Sequence, residues 1–295
     1  MIRRVSRTHH IPLDRRTLHG HFSRDLAAAI TVDPGDSVEF QALDAGWHWN
    51  LVGEWLDHRE PELDDGHPLA GPIEVRGARA GQTLVVRIDE VRPRDWGITF
   101  AGEDSVVWRL GEDTGTTADG DATVGLAPFL GVIGMPPAEP GVHSTTPPRR
   151  QGGNIDCKEL TAGATLLLPI AVDGALVSAG DGHAAQGDGE VSGTAIECPL
   201  EVARMTLDIR DDLDLRMPIA WTEHAWIAFG FDPDLDVAAD MALETMLDLM
   251  EREHGLSRSR ALALASVCVD LRVTQVVNDA KGVHAVLRHA ALRGE

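Results

Sequence analysis

The sequence predicts a mainly β protein with a C-terminal α+β region, and three observations carry that expectation. Short apolar runs alternate with polar residues through the first two-thirds, turn signals rich in Gly, Pro and Asp separate them, and past Asp234 the apolar period lengthens to that of a helix. "SVEFQA" follows the turn "DPGD". "TLVVRIDEV" follows "ARAGQ", with Leu84, Val86 and Ile88 directed one way and Arg87 and Asp89 the other. "ATLLLPIAVDGALVSAGD" sets Asp173-Gly174 between apolar runs, which predicts a hairpin whose second strand leads into residues 178–190. "ARMTLDIR" alternates again and places Ala203, Met205, Leu207 and Ile209 on one face. In "DLDVAADMALETMLDLMEREHG", Leu243, Met246, Leu247 and Met250 recur at helical spacing, acids occupy the first turn, and Gly255 supplies a stop. Ser257 can cap a second helix through "RSRALALASV", and "DLRVTQVV" and "GVHAVLRHA" read as strands. Residues 1–210 are expected to form a β-rich core and 211–295 an α+β region packed on it. "GEDTGTTADGDA" and "MPPAEPGVHSTTPPRRQGGN" read as long loops.

A chain of 295 residues can bury a full-sized core. Its 47 acidic and 26 basic side chains leave a net charge of -21, which repels nucleic acid and anionic lipid, so neither is an expected partner. The basic N-terminus lacks an apolar stretch of signal-peptide length, and no apolar run could span a bilayer; a cytoplasmic protein is the expectation. Cys157, Cys198 and Cys268 are odd in number and lack C-x-x-C spacing, so neither a disulfide framework nor a cysteine zinc site is indicated. A metal would need His and carboxylate ligands. Lys158 and Lys281 are the only lysines among the 26 basic residues. A lysine amine, unlike a guanidinium, can lose its proton when desolvated, so Lys158 is either a proton carrier or a surface lysine in an ion pair.

The segment "SAGDGHAAQGDGE", Ser178 to Glu190, concentrates Asp181, His183, Gln186, Asp188 and Glu190 on what reads as a glycine-laced loop able to approach an ion or a small substrate. Two further segments set polar groups beside glycine: "DDGHPLAGPIEV" with His67, and "RRQGGNIDCKEL" with Asn154, Asp156 and Lys158. If 154–158 is extended, those three side chains share a face and Cys157 points away. No calcium-loop, G-K-[ST], G-x-G-x-x-G or G-x-S-x-G pattern occurs in a suitable setting, which disfavours nucleotide binding and an α/β-type serine hydrolase. His9, His10, His143, His224 and His284 read as surface or satisfied core residues.

The ordered segments "HPLAGPI", "GVIGMPPAEPG", "GGNIDCK", "SAGDGHAAQGDGE" and "GTAIECP" resemble the acetamidase/formamidase family, from about His19 to "DLRVTQVVN" and "GVHAVL". The resemblance implies β-sandwich and barrel layers with an α+β region, and a metal-dependent hydrolase that cleaves a short aliphatic amide to a carboxylate and ammonia. It departs from the family pattern at Phe22, where a Trp is usual, at Ala27-Ala28 in place of Pro-Pro, at Ala70 for Thr, and at Gln151 where a His is common. The departures at Phe22 and Ala70 point to an amide larger than formamide.

On that reading Asp156, Asp181 and His183 are the leading metal ligands, with His67 and Asp44 as further candidates. The ion is zinc first, with calcium or manganese as alternatives. Glu190 or Glu197 would carry the proton of the attacking water, Lys158 would share that role or meet the developing oxyanion, and Asn154 and Gln186 would orient the amide. A homo-oligomer, a dimer, is expected. Two other readings stay open: a cysteine amidase with Cys157 as nucleophile, and a non-catalytic small-amide-binding protein on the same scaffold.

Overall fold

Alternation along the strands decides how the sheets stack. The computed structural model describes residues 6–292 with the exception of Glu54. Nine strands form one sheet in the order Thr8–Ile11, Asp36–Ala42, Leu200–Arg210, Thr83–Pro93, Thr165–Pro169, Ile219–Trp221, Ala225–Asp232, Lys281–Arg288 and Val269–Gln275. A second sheet has the order Gly152–Asn154, Phe129–Gly134, Val177–His183, Leu69–Val75 and Leu18–His19, with Ile30–Val32 running parallel to Leu69–Val75. Leu84, Val86, Ile88, Ala203, Met205 and Leu207 of the first sheet share one buried cluster with Ile73, Leu130, Ile133, Val177 and Ala179 of the second. The two sheets therefore form a sandwich, and each fully buried Leu, Ile or Val contributes roughly 1.5–3 kcal/mol. A smaller antiparallel sheet joins Trp96–Ala101, Asp104–Leu110, Thr114–Thr117 and Thr123–Gly125.

The helices cover the opposite face of the nine-stranded sheet. Helix α1 (Leu235–His254) starts where the Asp234 carboxylate accepts from the backbone N–H of Asp236 and Val237, and stops at Gly255, whose φ of 64° favours glycine. Helix α2 (Arg258–Cys268) is capped by Ser257. Ala242, Met246 and Met250 of α1 pack with Ile219, Ala228, Ala285 and Leu287. The strand Thr165–Pro169 feeds both cores: Leu166 and Leu168 face the sandwich, and Leu167 faces the helices. The sheet runs unbroken across residue 210, since Thr165–Pro169 pairs with both Thr83–Pro93 and Ile219–Trp221.

Four sequence expectations need correcting. Asp173-Gly174 turns the chain but makes no hairpin, because Thr165–Pro169 pairs in the nine-stranded sheet and Val177–His183 in the other. Residues 178–183 belong to a fully buried strand, and the loop begins only at Ala184. The strand Gly152–Asn154 ends before Asp156, whose φ of 52° breaks the extended run expected through Lys158. "GEDTGTTADGDA" contains the strand Thr114–Thr117.

Candidate functional site

The strand Val177–His183 is buried along its whole length between Phe129–Gly134 and Leu69–Val75, and it carries two ionisable groups into the interior. His183 Nε2 lies 3.3 Å from Asp181 Oδ2 and 3.1 Å from Glu197 Oε2. Glu197 is held by paired backbone bonds with Ile98 and by a bond from the Ala195 N–H to its Oε1, 2.8 Å. Asp156 and Glu190 complete the cluster. Asp156, His183 and Glu190 form one group of possible ligands, and Asp181, His183 and Glu197 form another, the donor atoms of each lying within 4.8 Å of one another. All five residues are buried, Glu190 least so at 6% exposed.

Three backbone outliers sit here: Asp156, Asp181 and Glu190 have φ of 52°, 60° and 44°. Such left-handed residues are costly unless their surroundings hold them, and they gather at functional sites. Gly131, on the neighbouring strand, leaves the space. A Cβ there would stand 2.8 Å from Asp156 Oδ1 and 2.9 Å from His183 Cε1, and closer still to Asp181 Oδ2.

Supporting contacts fix the orientation of the central imidazole. His183 Nδ1 meets Gln186 Oε1 at 3.0 Å, and Gln186 Nε2 donates to the Asp156 carbonyl at 2.7 Å. With Nδ1–H donating to Gln186, Nε2 is the nitrogen turned toward the carboxylates. Asn278 Nδ2 donates to Asp156 Oδ2 at 2.6 Å.

Charge crowding shapes the ionisation. Burial opposes a charged His183, but Glu197 and Asp181 overcome it and hold the imidazole well above its ordinary value. Burial also opposes ionisation of Asp181, yet His183 and His67 keep that carboxyl well below the usual range. Asp156 is raised by burial and then by Glu190, and Glu190 is pushed up to about 7 by burial and by Glu197 and Asp181, against the pull of His183.

Three carboxylate oxygens in the cluster, Asp156 Oδ1, Asp181 Oδ1 and Glu190 Oε2, are buried without a hydrogen-bond partner, and Glu197 Oε2 meets only the His183 imidazole. Buried acceptors left unpaired are costly, and a cation would satisfy several at once. The donor set of one imidazole with carboxylates and no sulfur, and the space at Gly131, fit a divalent ion.

The other expected residues fall around this cluster. His67 lies close enough to Asp181 to lower its pKa, and its Nδ1 meets Thr145 Oγ1 at 2.9 Å. Asp44 is buried elsewhere and accepts from the His48 N–H at 2.7 Å. Lys158 is half-buried, with Nζ 3.1 Å from Asp188 Oδ1, and belongs to neither ligand group. Asn154 is buried with Oδ1 unpartnered. Gln186, expected to touch substrate, has both ends of its amide engaged within the protein. Phe22 packs with Leu69 and Val132, Ala70 lies in the main core opposite Ala179, and neither belongs to the ligand groups. Cys157 is fully buried beside Glu159. Asn278 was not singled out from sequence, although it ends the "DLRVTQVVN" segment that carries part of the resemblance. A cavity of about 360 Å³, lined by Thr99, Trp108, Val124, Gln186, Thr194 and Ile196 among others, shares Gln186 with the surroundings of the cluster and is lined by none of its five residues.

Comparison with known proteins identifies the family. The chain is 26% identical to an acetamidase from Mycolicibacterium smegmatis, the match covering 59% of this chain and 61% of that protein. It is 25% identical to a formamidase from Methylophilus methylotrophus, covering 59% and 60%. The chain thus spans about 60% of the length of these curated relatives. The crystal structure of an acetamidase from Bacillus halodurans superposes with a TM-score of 0.85 at 26% identity, covering 95% of this chain and 97% of that one. The profile of the Acetamidase/Formamidase family matches residues 4–114 and 135–287, and the chain belongs to that family.

Proposed function

We propose that this protein is a metal-dependent amidohydrolase that cleaves a short aliphatic amide to a carboxylate and ammonia. The observation that carries the reading is the convergence of Asp156, Asp181, His183, Glu190 and Glu197 in one buried cluster with three unpartnered carboxylate oxygens. Asp181, His183 and Glu197 would hold the ion, and zinc suits such mixed ligands better than calcium. Bound there, a divalent ion supplies Lewis acidity toward the amide carbonyl and lowers the pKa of water to about 7.

The chain's own groups do the rest. Glu190, the least buried of the five and pushed up to about 7, takes a proton from the attacking water at its free Oε2 and returns it to the departing nitrogen. Gln186 keeps the His183 ring turned so that Nε2 meets the carboxylates. Asn278 occupies one oxygen of Asp156 and leaves the other directed into the cluster. The cavity bounded by Trp108, Val124 and Ile196 offers an apolar approach for the alkyl part of the amide. Lys158, tied to Asp188, is outside this scheme.

Ammonia release from formamide, acetamide, propionamide and a longer amide, by chelated protein and by protein reconstituted with zinc, tests the reading. Release only after reconstitution supports it. Binding of amides without ammonia from any of them would replace it with the small-amide-binding protein. Homodimer formation and a cytoplasmic location belong to the same proposal, with light scattering and cell fractionation as their tests.

A further inference from the structure

A second cluster of donor atoms lies outside the site just described. Cys157 Sγ, Glu159 and His284 Nε2 offer one ligand atom each, all within 4.8 Å of one another. Cys157 comes from the turn after Asp156, and His284 from the strand Lys281–Arg288, so the group joins the candidate site to the strand next to the edge of the nine-stranded sheet. Cys157 Sγ is 3.2 Å from Glu159 Oε2, and His284 Nε2 is 3.5 Å from the same oxygen. Donors around a four-coordinate zinc, at about 2.3 Å for sulfur and 2.0–2.1 Å for nitrogen or oxygen, stand roughly 3.3–3.6 Å apart. The Sγ–Oε2 and Nε2–Oε2 separations come within a few tenths of an ångström of two edges of such a tetrahedron, the first of them spanned by a thiol hydrogen bond.

The independent observation is the state of His284. The residue is 1% exposed, and its Nε2 has no hydrogen-bond partner. Nδ1 is engaged by Thr274 Oγ1 at 2.8 Å. When Nδ1–H donates to Thr274, the lone pair of Nε2 faces the Glu159 carboxylate across 3.5 Å, acceptor against acceptor. In that tautomer the pairing is unfavourable, and a cation between the two acceptors would relieve it. The surrounding contacts resemble the outer support of a metal site: Thr274 fixes the ring, and Arg272 Nη1 holds the other oxygen of Glu159, Oε1, at 2.5 Å. Asp188 offsets both Arg272, at 2.6 Å, and Lys158, at 3.1 Å.

We propose that Cys157, Glu159 and His284 form a second, structural site for a zinc-class divalent ion, which braces the turn carrying Asp156 against the strands Val269–Gln275 and Lys281–Arg288. The sulfur coordinates as thiolate and its proton leaves to solvent. Cysteine spacing does not announce the site, because its other two ligands are a carboxylate and an imidazole remote in sequence.

Cobalt alone, titrated into the full chain after chelation, distinguishes this site from the other because only a sulfur ligand produces the near-ultraviolet thiolate-to-cobalt band. The expected result is a band whose final intensity corresponds to one sulfur-bound ion per chain, out of two cobalt ions taken up in all. It disappears in Cys157→Ala and His284→Gln, and persists in Cys198→Ala, Cys268→Ala and Asp181→Asn. Absence of the band from the parent protein overturns the proposal without reference to any variant. So does a band that survives Cys157→Ala, or one undiminished in His284→Gln with a parent-like circular dichroism spectrum.

Discussion

His183 and His284 are both almost wholly buried, both have Nδ1 engaged by a neutral side chain, and both turn Nε2 toward carboxylate, yet they ionise in opposite directions. His183 is raised well above its ordinary value, and His284 is lowered to about 4. Desolvation pushes both down. The difference lies in what faces Nε2. Around His183 two carboxylates, Asp181 and Glu197, lie within 3.3 Å, and among the described residues neither has an ion pair with an arginine or lysine. Around His284 the single carboxylate, Glu159, is already claimed by Arg272. A buried imidazole is charged by the surplus of negative charge around it, and the presence of an acid nearby is not enough.

The largest break in this comparison comes from removing the imidazole that neutralises the surplus. His183→Ala is expected to lose bound metal and to lower amide hydrolysis by more than about a hundredfold, beyond the usual cost of losing a supporting partner. Elemental analysis and ammonia release check both parts. Glu190→Gln should lower turnover by roughly 10²–10⁴-fold while metal content stays at the parent level, which separates proton transfer from ion binding.

Gln186→Ala tests the parallel between Gln186 and Thr274. With the Nδ1 partner gone, metal affinity should fall roughly 10–100-fold, measured by competition with a chromophoric chelator. An unchanged affinity would reduce Gln186 to a spacer.

Acid sharpens the contrast in sign. His284, lowered from 6.5 to about 4, binds fewer protons folded than unfolded across that interval, so its contribution to stability is lost as pH falls from 6.5 toward 4. The full shift corresponds to roughly 3 kcal/mol. His19, buried and also near 4, adds a loss of the same sign. His183, raised when folded, contributes stability that is complete below 6.5 and is lost only as pH rises through its folded value. Urea unfolding of metal-free protein at pH 7 and pH 4.5 should show a loss that is shallower, though not abolished, in His284→Gln.

The smallest effect is expected at Lys158. Its partner is a half-exposed Asp188, and such pairs are worth about 0–1 kcal/mol. Lys158→Arg should keep the pair and leave turnover within a few-fold of the parent. A large loss would restore the proton-carrier role that its rarity in the sequence suggests.

Legibility in the sequence followed locality. Leu84, Val86 and Ile88 alternate with polar neighbours, and all three are buried. Helix α1 begins at its Asp234 cap and ends at Gly255, both readable as single letters. The hairpin at Asp173-Gly174 misled because a turn signal says that the chain reverses, not which strands pair. The flanking strands are buried throughout, so neither offers an alternation to reveal its sheet. In the site, Asp181 and His183 share one short segment and were legible. Asn278 meets Asp156 across 122 positions, and nothing local marks it. Lys158 was singled out by composition, which ranks residues by rarity and is blind to the aspartate 3.1 Å away. His284 read as one lone histidine among several, since its missing partner exists only in three dimensions.

Gly131 carries a consequence for how this protein can change. Its backbone has no left-handed conformation, so the strand itself would accept alanine, and the obstruction is a single methyl group among Asp156, Asp181 and His183. A substitution there would stop up the chamber while sparing the sandwich around it. Selection on folding and selection on catalysis therefore come apart at this position. If the proposed chemistry holds, a lineage released from it could fill this space in one step and keep its architecture, so the letter at 131 would record whether the site is still in use.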